Sequence, residues 1–171
     1  MKFNKLIGTL VVSAVLLAGC GKTVDEQVSE GIITVQAAFE QQPIKANTKE
    51  NNLNLYLPEG FVIDPSKEEN NYLITSSDDQ YILFINHNEP ENSQLNYDLL
   101  MKSDDESIVK VEQLNGEKQF GFVAVRQFSD KEYELIVSIG GLKLSTVTNQ
   151  KKLDIKLSNM IDIVRSVEFV K

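Results

Sequence analysis

The 171-residue chain has few side chains of the types that do chemistry. It contains one cysteine, Cys20, and one histidine, His87. A structural metal site draws about four ligands from Cys and His, and neither residue has a second His or a paired Cys to work with. Nucleophilic catalysis would need a Gly-x-Ser-x-Gly elbow or a thiol beside His87, and neither is present. His87, in Asn86-His87-Asn88-Glu89, follows an apolar run and reads as a loop residue. The acidic runs Asp78-Asp79 and Asp104-Asp105-Glu106 could offer oxygens to Ca²⁺, which takes about six to eight, but they lack the spaced EF-hand pattern and read as solvated turns. Lys151, Lys152 and Lys156 read as a solvated basic face, with an anionic partner as the alternative. Gly140-Gly141 lacks the Gly-rich span and following Lys-Ser/Thr of a phosphate loop. No carboxylate lies inside an apolar run that would tune it for acid–base work. The expectation is a protein that is not an enzyme, with no catalytic, cofactor-binding or metal residue.

What precedes Cys20 gives the thiol its chemistry. Lys2 and Lys5 form a cationic start, residues 6–16 (LIGTLVVSAVL) carry no charge, and Ala18 and Gly19 are small. That is the pattern of a secretory signal peptide. Its apolar stretch, residues 6–19, is 14 residues long, short of the ~20 that span a hydrocarbon core. Leu17-Ala18-Gly19-Cys20 resembles the bacterial lipobox at all four positions. The resemblance implies that residues 1–19 are a lipoprotein leader removed before Cys20. It also implies that Cys20 becomes an S-diacylglycerol cysteine, with N-palmitoylation as a further step. Each buried methylene contributes about 0.8 kcal/mol, so two or three acyl chains anchor a protein where one binds reversibly. The implied location is the extracytoplasmic face of the cell membrane. Because Cys20 is the only cysteine, no internal disulfide can form.

Charge restricts the partners. Lys and Arg number 17 against 25 Asp and Glu, a formal −8; losing Lys2 and Lys5 with the leader leaves 15 against 25, or −10. Nucleic-acid binding rests on phosphate neutralisation, so it is excluded. Anionic lipid should repel the body, which is expected to be tethered above the bilayer rather than lying on it. Basic residues are 15 Lys to 2 Arg, and Asn recurs at 47, 51, 52, 54, 70 and 71. This bias of AT-rich genomes points to a Gram-positive host. At 42% apolar and 25% charged, the chain can build a core.

Thr23-Val24-Asp25-Glu26 reads as a capping box opening a helix with Val28, Ile32, Val35 and Phe39 on one stripe. That helix either packs on the body or serves a partner near the membrane. Residues 41–52 (QQPIKANTKENN) read as a linker with a reach of about 20 Å. From residue 53 the period becomes two. Leu53, Leu55 and Leu57 alternate with polar positions, a turn follows at Pro58-Glu59-Gly60, and Phe61 and Ile63 resume. The runs 72–76 and 81–85 (YLITS, YILFI) are apolar on both faces, as central strands covered on each side would be. Asn115-Gly116 predicts a two-residue turn setting Val111 opposite Phe120 and Val109 opposite Phe122. Gly140-Gly141 predicts Ile139 opposite Leu142, Val137 opposite Leu144 and Leu135 opposite Thr146. Residues 93–102 predict a short crossover helix. Leu153, Leu157, Met160, Ile161 and Val164 predict a C-terminal helix capped by Asn149, with Lys151 and Lys152 opposing the dipole of its first turn. Residues 167–170 read as a last short strand.

The expected fold is α+β: an antiparallel β-sheet of about 7–8 strands packed by the C-terminal helix and the crossover helix, preceded by an N-terminal helix and linker. The domains are the leader 1–19, the lipidated Cys20, helix and linker of 20–52, and a single α+β domain over 53–171. This order, with Leu57-Pro58-Glu59-Gly60-Phe61 opening the body and Arg165-Ser166-Val167-Glu168-Phe169 closing it, resembles small extracytoplasmic lipoproteins of Bacillus-type bacteria. It also resembles the sandwich fold of the PsbP and Mog1 proteins. Those resemblances imply a binding or assembly factor and assign no functional residue. The functional expectation is a membrane-anchored interaction or assembly accessory module with an envelope protein partner; the alternative is a lipoprotein that captures a small ligand or wall fragment.

Overall fold

The computed structural model of this chain describes residues 21–64, 70–103 and 106–170; the expected leader of residues 1–19, Cys20 and Asp104-Asp105 lie outside them. The helices are α1 (Val24–Glu40), α2 (Leu95–Lys102) and α3 (Leu153–Arg165). Strands β3 (Val62–Asp64), β4 (Asn71–Thr75), β5 (Gln80–Ile85), β6 (Ile108–Asn115), β7 (Phe120–Gln127), β8 (Glu132–Ile139) and β9 (Leu142–Asn149) build one antiparallel sheet, ordered β3-β4-β5-β9-β8-β7-β6. β1 (Thr48–Glu50), β2 (Leu53–Leu55) and β10 (Glu168–Phe169) form a smaller antiparallel sheet. The class is the expected α+β.

Helix α1 opens on the capping box, with Thr23 Oγ1 accepting from Glu26 N–H and Glu26 accepting from Thr23 N–H. Its stripe of Val28, Ile32, Val35 and Phe39 is buried with Leu153, Leu157, Met160 and Val164 of α3. The two helices cover the sheet face that carries Tyr81, Leu83, Leu135, Val137 and Leu144. Burying one such aliphatic side chain is worth about 1.5–3 kcal/mol, so α1 is the packing helix of the two readings and shares the core of residues 53–171. At the crossing a Cβ on Gly31 would lie 2.6 Å from Leu157 Cδ1 and 3.1 Å from Asp154 Cα, so Gly31 allows the close approach.

Several local expectations are corrected. Residues 48–50 of the expected linker form β1, folded back on β2 by a turn in which Asn51 adopts φ +53°, a conformation asparagine tolerates. The Gly140-Gly141 hairpin has the expected register. The Asn115-Gly116 hairpin does not: Asn115 pairs with Phe120 and Val111 with Ala124, and the turn is closed by Gly116 N–H donating to Gln119 C=O. The register differs by four residues. An even slip keeps every side chain on its face, so the apolar pattern fits both registers. Asn149 does not cap α3. Its side chain accepts from Lys151 N–H, while Gln27 Oε1 of α1 accepts from Leu153 N–H at 3.0 Å. Lys151 and Lys152 precede α3 rather than filling its first turn.

Candidate functional site

The outer face of the large sheet is half covered. Pairing sets Val111, Ala124, Ile136, Ser145, Ile82 and Leu73 in one row across six strands. Helix α2 lays Tyr97 and Leu100 over the β6-β7-β8 side, where Phe122, Ala124 and Ile136 form a second small core. Tyr97 meets Phe120 and Phe122 edge-on, each at 5.7 Å between ring centroids. Beyond α2 no helix among the described residues covers the row, and Lys143 Nζ lies 5.8 Å from the centroid of the Phe84 ring. Val62 is 58% exposed, Ile82 52% and Val147 42%, with Leu73 and Phe84 half-buried on the same face. The 72–76 and 81–85 strands are therefore not covered on both sides as expected, because α2 has two turns and spans only part of the sheet.

A cleft of about 360 Å³ opens where the β5 and β9 ends meet the C-terminal end of α3. The loop after β5 is held over the β8-β9 turn, with Asn86 N–H donating to Gly141 C=O at 2.9 Å. A Cβ on Gly141 would fall 2.3 Å from Asn86 O, and one on Gly140 2.6 Å from Pro90 O. Only glycine lets that loop lie so close, and the loop carries His87, Glu89 and Glu91 to the cleft. Pairing of Phe169 with Leu53 brings β10 to the opposite wall, where the His87 and Phe169 rings meet edge-on at 4.7 Å. Ile139, Leu142 and Val164 supply apolar lining. Arg165 also borders the cleft, but it donates to Ala38 C=O and lies over the Phe39 ring at 5.8 Å. Burial lowers its pKa, against the pull of Asp162.

The acidic and basic residues read as solvated are not all so. Asp78 is exposed, whereas Asp79 and Lys156 are buried and paired, with Nζ 2.9 Å from Oδ2 and 3.1 Å from Oδ1. Thr148 Oγ1 bonds to both. The cluster ties the β4-β5 turn, β9 and α3 together, and burial next to Asp79 pushes the neighbouring Tyr81 phenol up. Lys151 and Lys152 are exposed. His87 is the exposed loop residue expected, and it also forms a wall of the cleft. Among the described residues no three His, Cys, Asp or Glu side chains converge as a metal site. Cys20, the expected lipidation site, lies outside the described residues, as does Asp104-Asp105 of the second acidic run.

The cleft draws on five stretches distant in sequence, so local spacing gave no sign of it. Lys156 was readable, since it stands three residues after Leu153 and four before Met160, on the apolar stripe of α3.

No protein family matches the sequence, and no curated protein does. Among solved structures the chain is similar to the solution structure of cyanobacterial PsbP (CyanoP) from Synechocystis sp. PCC 6803, over 71% of this chain and 90% of that one. At 9% identity and a TM-score of 0.40, nothing about ligand, partner or role follows from that likeness.

Proposed function

We propose that the chain is a lipoprotein, anchored through acylated Cys20 on the extracytoplasmic face of the cell membrane, that acts as a protein-interaction or assembly accessory module in the envelope. The anchor reading is supported by the leader of residues 1–19 and the lipobox Leu17-Ala18-Gly19-Cys20. The interaction reading is supported by the apolar row of Val62, Leu73, Ile82 and Val147, over which no described helix lies, since contiguous exposed apolar patches of more than a few hundred Å² mark contact sites. The occupant we assign to it is an envelope protein with a basic rim, because 25 acidic residues against 15 basic ones in residues 20–171 favour positive complements. Replacing Cys20 with Ala tests the anchor: acyl labelling is lost and uncleaved precursor accumulates. Unchanged labelling and processing would overturn it. The alternative, capture of a small ligand, is supported by the cleft at His87 and Phe169.

A further inference from the structure

The cleft has an uneven charge. Glu89, Glu91 and Glu168 border it, and none of the three is ion-paired among the described residues. Glu89 accepts from Ser93 Oγ, and Glu91 accepts from Gln119 Nε2 at 3.1 Å, so the side chains are oriented by neutral donors that leave their charge uncompensated. Arg165, the cation on this rim, is directed to Ala38 C=O and the Phe39 ring, so the lining carries three carboxylates against one guanidinium. The His87 and Phe169 ring pair borders the same cleft, with Ile139, Leu142 and Val164 as its apolar lining.

Resting on the ligand-capture reading, we propose that this cleft binds a small organic cation, an ammonium group carried on an apolar body. Glu89 is half-buried and Glu91 and Glu168 are exposed, and three carboxylates against one guanidinium on the rim favour a positive guest over a negative one. Aromatic faces attract ammonium groups within about 6 Å of a ring centroid. The apolar lining then covers the body of the guest. A volume of about 360 Å³ is at the small end for ligand pockets, so the guest is a compact head group rather than a folded partner.

Three probes of one shape and different charge separate the claims: choline, its uncharged isostere 3,3-dimethylbutan-1-ol, and 3,3-dimethylbutanoate. Each is titrated into the full chain in a non-ionic detergent, reading methyl resonances of Ile139, Leu142 and Val164. Choline is expected to give saturable shifts, with the other two binding about tenfold more weakly or worse, as loss of one cation–π or ion-pair contact dictates. The Glu89→Gln, Glu91→Gln, Glu168→Gln variant is expected to lose that preference. If it does not fold, the isostere comparison on the unaltered chain still decides. N-acetyl-lysine amide, titrated alongside, identifies the source: tighter binding than choline assigns the ammonium to peptides, weaker binding to free amines, and both support the proposal. Equal or tighter binding of the alcohol or carboxylate would overturn the cationic class while leaving ligand capture standing. Shifts from none of the four probes would overturn both.

Discussion

Lys156 Nζ sits 2.9 Å from Asp79 Oδ2 beneath the end of the sheet, with both side chains nearly out of water. A buried pair of this kind repays its desolvation only while both partners are present. Lys156→Met alone leaves Asp79 charged and uncompensated, and is expected to cost about 3–5 kcal/mol in urea unfolding. Lys156→Met with Asp79→Leu removes both charges and should recover most of that loss. A single variant no less stable than the parent would contradict the pairing.

Gln27 joins two helices through one amide, its Oε1 accepting from Leu153 N–H and its Nε2 donating to the carbonyls of Lys22 and Gln150. Gln27→Ala leaves the first turn of α3 without its cap and is expected to lower stability by about 0.5–2 kcal/mol, measured by chemical denaturation. Asn149→Ala is expected to cost less, because its side chain serves only the turn before α3.

Gly31→Ala should destabilise by about 1–3 kcal/mol despite alanine's better helix propensity, because Leu157 is fully buried and cannot retreat from the added carbon. Ala at Thr34, an exposed position on the same helix, serves as the control and should be close to neutral.

Acid should weaken the junction of α1 and α3. The Glu26 carboxyl is held below its ordinary 4.5 by the Thr23 amide and hydroxyl, against slight burial and with help from the Lys22 charge. At Asp154 burial pushes upward, but hydrogen bonds from Lys22 and the helix amides, with the Lys22 charge, hold it below 3.8. For groups depressed on folding, the stabilisation is present above the unfolded values and is lost as pH falls through the folded ones. Asp162, raised by burial against the pull of Arg165, contributes with the opposite sign. The melting temperature is expected to fall between about pH 6 and pH 3, and Glu26→Gln should flatten part of that slope. A slope unchanged by this variant would exclude the capping box as its source.

Local rules carried the elements and one register. Thr23 and Glu26 fixed the start of α1, and Gly140-Gly141 fixed the β8-β9 pairing, because both signals act within a few residues. The Asn115-Gly116 signal failed because a slip of four residues satisfies the same alternation, leaving the choice to tertiary partners such as Glu91 C=O, which accepts from Phe120 N–H. Asp79 and Lys156 are 77 positions apart, and only the packing of α3 on the sheet brings them together. The half-open outer face depends on how far α2 reaches, which no periodicity encodes. The cleft depends on a loop, a turn and a two-residue strand meeting at one end of the sheet.

The central proposal is a membrane-tethered body that presents its open sheet face to a partner. A photo-cross-linking residue placed at Ile82 of the tagged full chain in cells, compared with one at Ile33 on the outward side of α1, tests it most directly. One dominant envelope protein is expected to be joined at position 82, absent at position 33, and reduced when Cys20→Ala removes the lipid. The same products from both positions, or none from position 82, would contradict it.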